Sequence, residues 1–433
     1  MLGATALLAC AGAGAASTPG GVPPNARARA ISAGGSHTCA VARGGLIECW
    51  GSNSAGQVGG ETRKDRIFPV AVTGLRGATA IAAGGSFTCA RTSVGELDCW
   101  GDGQAPHTVA SGVAAVAAGA AHACALTSAG GVECWGDNRF GQLGDGTRTG
   151  RTGPVGVSGL SGGVTAVTAG VGHTCALTSS GAAKCWGEND YGQLGDGSNT
   201  DRSLPVPVSG LTSGVAAIVA GGRHTCAVTR RGAVRCWGRN LAGQLGDGTT
   251  KTRIRPTALT ALAHGVAMLA AGRNHTCALM RAGRVLCWGD DGYGQLGDGK
   301  RADRRLPARV AKLSHGVVAI AAGASHTCAL MRGGHVFCAG QNGHGQLGDG
   351  TKKGRRTSVA VVGFGAAVCT VPAVLGKTLA PAIAAIARSN CRVGTVRRVA
   401  SRRKANTVLA ASPRPGTRLL KGARVGLVVS RGR

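Results

Sequence analysis

The stretch HTCALTSSGAAKCWGENDYGQLGDG, His173 to Gly197, decides the fold. Its two cysteines, Cys175 and Cys185, stand ten positions apart, symmetric about Ser180. Ser179-Ser180-Gly181 fits a three-residue hairpin loop, with glycine at the position that needs a positive φ. A hairpin turning there sets the two cysteines directly opposite each other on antiparallel strands. Opposed residues have α-carbons about 4.5–5.5 Å apart, within the reach of a disulfide.

The chain writes this pattern seven times. The expected disulfides join Cys39 to Cys49, Cys89 to Cys99, Cys124 to Cys134, Cys175 to Cys185, Cys226 to Cys236, Cys277 to Cys287 and Cys328 to Cys338. The first members step by 50, 35, 51, 51, 51 and 51 residues. Each unit also carries an AIAAG-like strand, a CWG, a GQLGDG, a variable polar loop and a PVxVxGL strand such as Leu204–Leu211. A unit of three or four short strands cannot bury both its faces alone. Repeated radially, seven four-stranded units make an all-β, seven-bladed propeller. No PVxVxGL strand precedes the first AISAGG, and a spare one, TSVAVVGF (Thr357–Phe364), follows the last GQLGDG. The expectation is that this C-terminal strand closes the ring by completing the first blade.

The ordered combination G-x-x-HTCAL…CWG-x-N-x-x-GQLGDG strongly resembles the repeat of the regulator of chromosome condensation family. The resemblance covers about residues 30–364 and implies a seven-bladed propeller, without implying the exchange activity of the eukaryotic founder. Departures from the pattern are specific. Phe87 stands where the other units have histidine, Ala339 replaces tryptophan, and the first unit decays to GQVGG (Gly56–Gly60). From Trp100 to Pro106 is 6 positions, against 19 from Trp135 to Pro154. The second unit has lost its GQLGDG loop, and one sector of the rim should be bare.

Cystines in all seven hairpins imply an oxidising compartment. The competing reading is fourteen reduced core thiols. Zinc needs four ligands, and each hairpin offers two. The N-terminus, MLGATALLACAGAGAAS, reads as the end of a secretory signal followed by a linker, and Leu7-Leu8-Ala9-Cys10 resembles a lipoprotein box in which Cys10 is lipidated. Residues 1–24 are thus assigned to a signal or lipoprotein-like segment, 25–364 to the propeller and 369–433 to a separate module. Of the seventeen cysteines, Cys369 and Cys391 remain as an eighth pair and Cys10 as the odd one.

The repeated side chains read as architecture. His37, His122, His173, His224, His275 and His326 share one position and are expected to hydrogen-bond within their own blades. The six CWG tryptophans are expected to pack blade against blade. The GDG acids Asp145, Asp196, Asp247, Asp298 and Asp349 suggest calcium, but one carboxylate per loop falls short of six to eight oxygens; an aspartate accepting backbone hydrogen bonds in its turn fits better. No metal or other cofactor is expected. The loops 148–153, 251–256, 300–305 and 352–356 are basic and should share one face, either as a binding surface or as a solvated rim.

The segment Cys369–Arg433 holds fourteen Lys and Arg and no Asp or Glu, within a chain of net charge +30. Its VPAVLGKTLAPA, VGTV, SPRPGTRL and VGLVVS resemble a PASTA domain, the small α+β module of penicillin-binding proteins and serine/threonine kinases. Thr378 is placed to cap a helix, Leu379, Ile383 and Ile386 to form its apolar stripe, and strands are predicted near 392–399, 406–411 and 424–430. The resemblance implies binding of peptidoglycan fragments. Arg402, Arg403, Lys404 and Arg414 fall at expected loops, where they favour an anionic wall polymer or form a solvated face.

No nucleophile–base pair or carboxylate dyad lies outside the repeats, so no enzyme is expected. The leading expectation is a secreted or envelope-bound bacterial scaffold, with propeller loops on an unknown protein partner and the C-terminal module on the wall. Membrane contact runs only through Cys10, and nucleic acid is disfavoured. The alternative is an inhibitor of a secreted enzyme, in the manner of a β-lactamase-inhibiting propeller of the same family. Phe140, Tyr191 and Tyr293, varying beside GQLGDG, would then be partner contacts lining one mouth of the ring. An exchange factor or chromatin binder, and a lyase with charged residues at the axis, complete the set.

Overall fold

A computed structural model describes residues 27–60, 62–364, 368–420 and 422–432. The predicted signal segment and Cys10 lie outside the described residues. Seven sheets of four sequential antiparallel strands form the propeller. In the fourth blade the strands are Val164–Ala169, His173–Thr178, Ala183–Gly187 and Arg202–Pro207, from the axis outward. The innermost strands are rich in alanine because seven of them converge on one axis, where only small side chains fit.

Every expected hairpin disulfide is formed. Cys39 is bonded to Cys49, Cys89 to Cys99, Cys124 to Cys134, Cys175 to Cys185, Cys226 to Cys236, Cys277 to Cys287 and Cys328 to Cys338. In each blade the two partners are paired directly in the sheet register, as the ten-residue spacing predicts. Their Cα–Cα distances are 4.0–4.1 Å, shorter than the ordinary cross-strand separation, and all fourteen cysteines are buried between blades. The reading of fourteen reduced thiols is not the arrangement found.

Ring closure differs from the expectation in one respect. The strand Arg355–Ala360, within the spare C-terminal motif, is the outer strand of the seventh blade and not of the first. Each blade is a contiguous stretch of chain, because the PVxV strand ends a unit and does not begin one. The C-terminal motif still seals the ring: Phe364 is fully buried against Trp50 of the first blade, with ring centroids 5.7 Å apart. Around the axis the first-strand ends are joined by backbone hydrogen bonds at every junction. They run from Gly35 N to Gly84 O in the first, and close from Ala324 N to Gly34 O in the last.

The histidines also act differently from the expectation: they bridge neighbouring blades. His173 Nε2 lies 2.9 Å from Thr225 Oγ1 of the next blade, and that hydroxyl donates to Gln193 O at 2.8 Å. Since the threonine proton goes to the carbonyl, the histidine must donate from Nε2, which fixes its tautomer. Six junctions share this relay, including His326 to Thr38 across the closure. Each Nδ1 is buried without a partner among the described residues. Burial, with like charge from neighbouring histidines, pushes His173 and His326 down to about 3; burial takes His275 to about 4. All six rings are neutral at physiological pH.

The tryptophans pack between blades as expected. Five donate Nε1 to the same glutamine carbonyls at 2.9–3.0 Å. The second blade replaces its GQLGDG loop by a two-residue turn, Asp102 and Gly103, both with positive φ, between Leu97–Gly101 and Gln104–Ala110. That removes the glutamine carbonyl from the junction of blades two and three. A threonine in blade three would have no acceptor, and Ala123 stands there. A histidine in blade two would then lack its hydroxyl, and Phe87 stands there, packed with Ala123 and Trp135. Trp135 has no glutamine to receive its indole proton. One deletion accounts for the other departures at this junction.

The C-terminal module has its own core, including Cys369, Val371, Ala382, Ile386, Cys391 and Val425. Cys369 on the strand Val368–Thr370 is joined to Cys391, just beyond the helix Leu379–Arg388, as expected. Thr378 occupies the N-cap position but its side chain makes no capping bond. The buried face of the helix is Ala382 and Ile386; Ile383, expected in the stripe, is 39 % exposed. The strands Arg392–Val399 and Arg424–Ser430 match the prediction, and Val408–Ser412 starts two residues later.

Candidate functional site

In an up-and-down blade the connection between strands one and two and that between strands three and four emerge at the same end. Hydrogen bonds tie the two together in each blade; Glu188 N donates to Gly172 O and Arg239 N to Arg223 O, both at 2.8 Å. One face of the ring is therefore built from fourteen connections, two per blade, and carries the GQLGDG turns and the basic loops. Those turns are densely hydrogen-bonded. In the third blade Asp145 accepts from Thr147 N at 2.9 Å and from Arg151 at 3.0 Å, and Asn138 ties the loop to both. Burial alone would raise the Asp145 carboxyl, but the hydrogen bonds from Thr147, Arg151 and Asn138 hold it below its usual range. Arg202, Arg253, Arg304 and Arg355 make the equivalent ion pairs at 2.7–3.1 Å. One arginine in each basic loop is thus a brace for its turn. That role was legible as an arginine recurring six positions after each GDG aspartate.

The sixth blade breaks the pattern. Asp291 stands where blades one, three, four, five and seven have Asn53, Asn138, Asn189, Asn240 and Asn342. Its Oδ1 accepts from Leu296 N as the asparagine oxygens do, and its Oδ2 is buried with no partner among the described residues. Burial, reinforced by Asp298, Asp290 and Asp303, raises it to about 7.

Phe140, Tyr191 and Tyr293 occupy one repeat position, each backbone N–H bonded to the glutamine side chain of its own turn. All three lie on the loop face. Phe140 and Tyr191 are partly buried, and Tyr293 is 49 % exposed. Phe140 packs over Gly172, where a Cβ would come within 2.6 Å of the Glu188 carboxylate. Arg223 and Arg239 lie 5.3 and 5.6 Å from the Tyr191 ring centroid. Arg223 also pairs with buried Glu188 at 2.8 Å, and Arg239 donates to Asn274 at 2.8 Å. Burial raises the Glu188 carboxyl above its usual range, against the pull of Arg223. Leu241, beside Ala242 in the fifth blade, is 59 % exposed. Blades three to six thus carry large side chains on this face, whereas blades one and two carry small ones such as Ser54, Ala55 and Ser86, and blade seven carries Gly343 beside His344, which pairs with Asp65 at 2.9 Å. The arginines and Leu241 were not singled out from sequence; their signal was departure from the other units, at the first-to-second-strand loop tip for Arg223 and in the third-to-fourth-strand loop for Arg239 and Leu241.

The axis holds a cavity of about 350 Å³ lined by alanine and glycine from every blade, with Val171 and Arg273 the bulkier residues on it. Arg273 is the charged residue there, so the clustered axial charges that a lyase would need do not occur among the described residues. A second recess of about 380 Å³ lies between the first blade's loop and the shortened turn of the second, beside Arg63, Gly103 and Pro106. It is the bare sector expected from the deletion.

In the C-terminal module Arg402, Arg403 and Lys404 are exposed in the connection between Arg392–Val399 and Val408–Ser412. Arg414 is exposed at the far end of the latter strand and does not join them. No helix among the described residues is long and apolar enough to cross a membrane.

Comparison with known proteins agrees with this architecture. The model of the RCC1-like domain matches residues 14–266, and models of the regulator of chromosome condensation (RCC1) repeat match 282–330, 268–295 and 317–346. The PASTA domain model matches 370–431, which points to a cell-wall-related role. The ultraviolet-B receptor UVR8 of Arabidopsis thaliana is 37 % identical over 191 residues, 43 % of each chain. The human probable E3 ubiquitin-protein ligase HERC4 is 34 % identical over 205 residues, 46 % of this chain and 19 % of its own. The chain spans less than half the length of these relatives. Among solved structures, Prp20p of Saccharomyces cerevisiae superposes with a TM-score of 0.66 at 22 % identity, covering 73 % of this chain and 86 % of that one. Human WBSCR16 gives 0.65 at 23 %, covering 73 % and 93 %. Sheet topology, repeat and family models coincide: the chain belongs to the RCC1-like propeller family, with a PASTA domain at its C-terminal end.

Proposed function

We propose that this protein is an exported bacterial cell-envelope scaffold. Its PASTA module attaches it to the wall, and its propeller presents the arc of blades three to six to a protein partner. The observation that carries this reading is the conjunction of eight cystines with a wall-type module. Cystines persist outside the cytoplasm, and the wall is the polymer met there. The arc of Phe140, Tyr191, Leu241 and Tyr293 with Arg223 and Arg239 has the aromatic and arginine character of binding hot spots. Incubation with purified cell wall tests the reading. The full chain should sediment with the wall, and a chain ending at Phe364 should stay in solution. Equal behaviour of the two removes the anchoring role.

A second reading is favoured by the same arc: inhibition of a secreted enzyme, with the aromatics covering its active-site entrance. Assays of secreted hydrolases with and without the protein separate the two. An inhibitor must act at stoichiometric concentration, whereas a scaffold leaves the rates unchanged.

A further inference from the structure

Six cations of the C-terminal module collect at one end of its three-stranded sheet. Arg392–Val399 runs parallel to Arg424–Ser430, with Arg398 opposite Val429 and Val399 opposite Ser430. Val408–Ser412 is antiparallel and begins opposite Val429. The ends of two strands and the start of the third therefore meet. The 400–407 connection is fastened over that end: Asn406 N donates to Ser430 O, Ser430 Oγ to Arg403 O, and Arg431 N to Val399 O, each at 2.8 Å. Arg397, Arg398, Arg402, Arg403, Lys404 and Arg431 are all exposed there. Arg398 is oriented by Asn406 Oδ1 at 2.7 Å. Residues 369–433 contain no Asp or Glu to neutralise any of them.

We infer that this end of the sheet is a binding site for a phosphodiester polymer of the cell wall, an inference that rests on the wall attachment proposed above. Five of the six cations are arginines, whose planar forks match phosphate oxygens two at a time. They stand on three separate chain segments without a buried cradle, so a chain of phosphates engages them together where a single phosphate does not. Residues 369–433 contain no Phe, Tyr or Trp. There is no ring face on which bases stack, and none for sugar rings either. Charge is the recognition chemistry that remains, and the location proposed above sets it outside the cell.

The test uses the full chain and two preparations of wall, one intact and one chemically stripped of phosphodiester polymer. Two variants accompany it: R397Q, R398Q, R402Q, R403Q, K404Q and R431Q combined, and R392Q, R414Q and R424Q combined at the opposite end. The native protein should sediment with intact wall and lose at least about tenfold in affinity on stripped wall. The sixfold variant should lose as much on intact wall, and the opposite-end variant should keep binding. Engagement of six phosphates also predicts a roughly 10²- to 10³-fold loss for the native protein between about 50 and 200 mM salt; this arm needs no variant to fold. Undiminished binding to stripped wall, or equal loss in both variants, overturns the site while wall attachment stands. Failure of the native protein to sediment with either preparation overturns the attachment and the site together.

Discussion

The junction between blades four and five and that between blades two and three are built from the same strands and differ by one loop. At the first, His173, Thr225, Gln193 and Trp237 form a buried chain of donors and acceptors. At the second, Phe87, Ala123 and Trp135 meet through apolar contact, and Trp135 is 9 % exposed against 0 % for Trp237. The difference teaches that the polar relay is one unit. With its terminal acceptor gone, each donor upstream would be a buried unsatisfied group, and such groups cost about 1–3 kcal/mol each. The second junction lacks the whole relay, and apolar packing holds it.

Acid should separate the two junctions most strongly. The six relay histidines sit near 3 or 4 in the fold against about 6.5 unfolded. Their depressed values mean the unfolded chain binds more protons. Stability is full above pH 6.5 and falls as pH drops from there toward 4, by up to about 1.4 kcal/mol per pH unit for each histidine. Hydrogen exchange followed from pH 7 to 5 should show opening at the six histidine junctions, with the strands around Phe87 and Ala123 least affected. Uniform acid lability around the ring would contradict the comparison.

Trimming tryptophans sharpens it. Trp237→Ala should lower stability by about 3–5 kcal/mol, as large-to-small core changes do. Trp135→Ala should cost about 1 kcal/mol less, the net value of the hydrogen bond it does not make. Chemical denaturation measures both. Next in size, Phe87→His should destabilise by about 1–3 kcal/mol because its ring nitrogen meets no hydroxyl. Adding Ala123→Thr should not recover that loss, because its hydroxyl has no glutamine carbonyl to receive its proton; full recovery in the double mutant would break the account of the deletion.

The smallest expected effect concerns Asp291, which must carry a proton to imitate its asparagine counterparts. Its folded value, raised to about 7, means the folded state holds a proton that the unfolded chain releases near 3.8. The stability it contributes is complete below that unfolded value and is lost as pH rises toward 7. Asp291→Asn should therefore raise Tm by about 2–4 °C at pH 8. The gain should shrink as pH falls from 7 toward 5.5. A pH-independent gain would mean that the carboxyl is ionised throughout.

Much of this was legible in the sequence. Cysteines ten apart fixed the hairpin register, and the 51-residue period fixed the blade count, because both are local arithmetic. The assignment of Thr357–Phe364 to the first blade failed because a repeat has no marked beginning: the same string divides equally well before or after the PVxV strand. The histidines were misassigned to their own blades because their partners lie about 51 residues away, on a different unit. Arg223 and Arg239 around Tyr191 come from a neighbouring blade, so no spacing rule joins them. Arg414 was grouped with Arg402–Lys404 because all four fall at expected loops, although the strand Val408–Ser412 puts those loops at opposite ends.

The central claim is that covalent sulfur pairs fasten every hairpin, and the proposed location beyond the cytoplasmic membrane rests on it. Titration of free thiols in protein purified from its native host, denatured without reductant, tests it most directly. Modification of none of the sixteen paired cysteines is the expected result. Reaction of most of them would contradict the account and return the propeller to a reducing compartment.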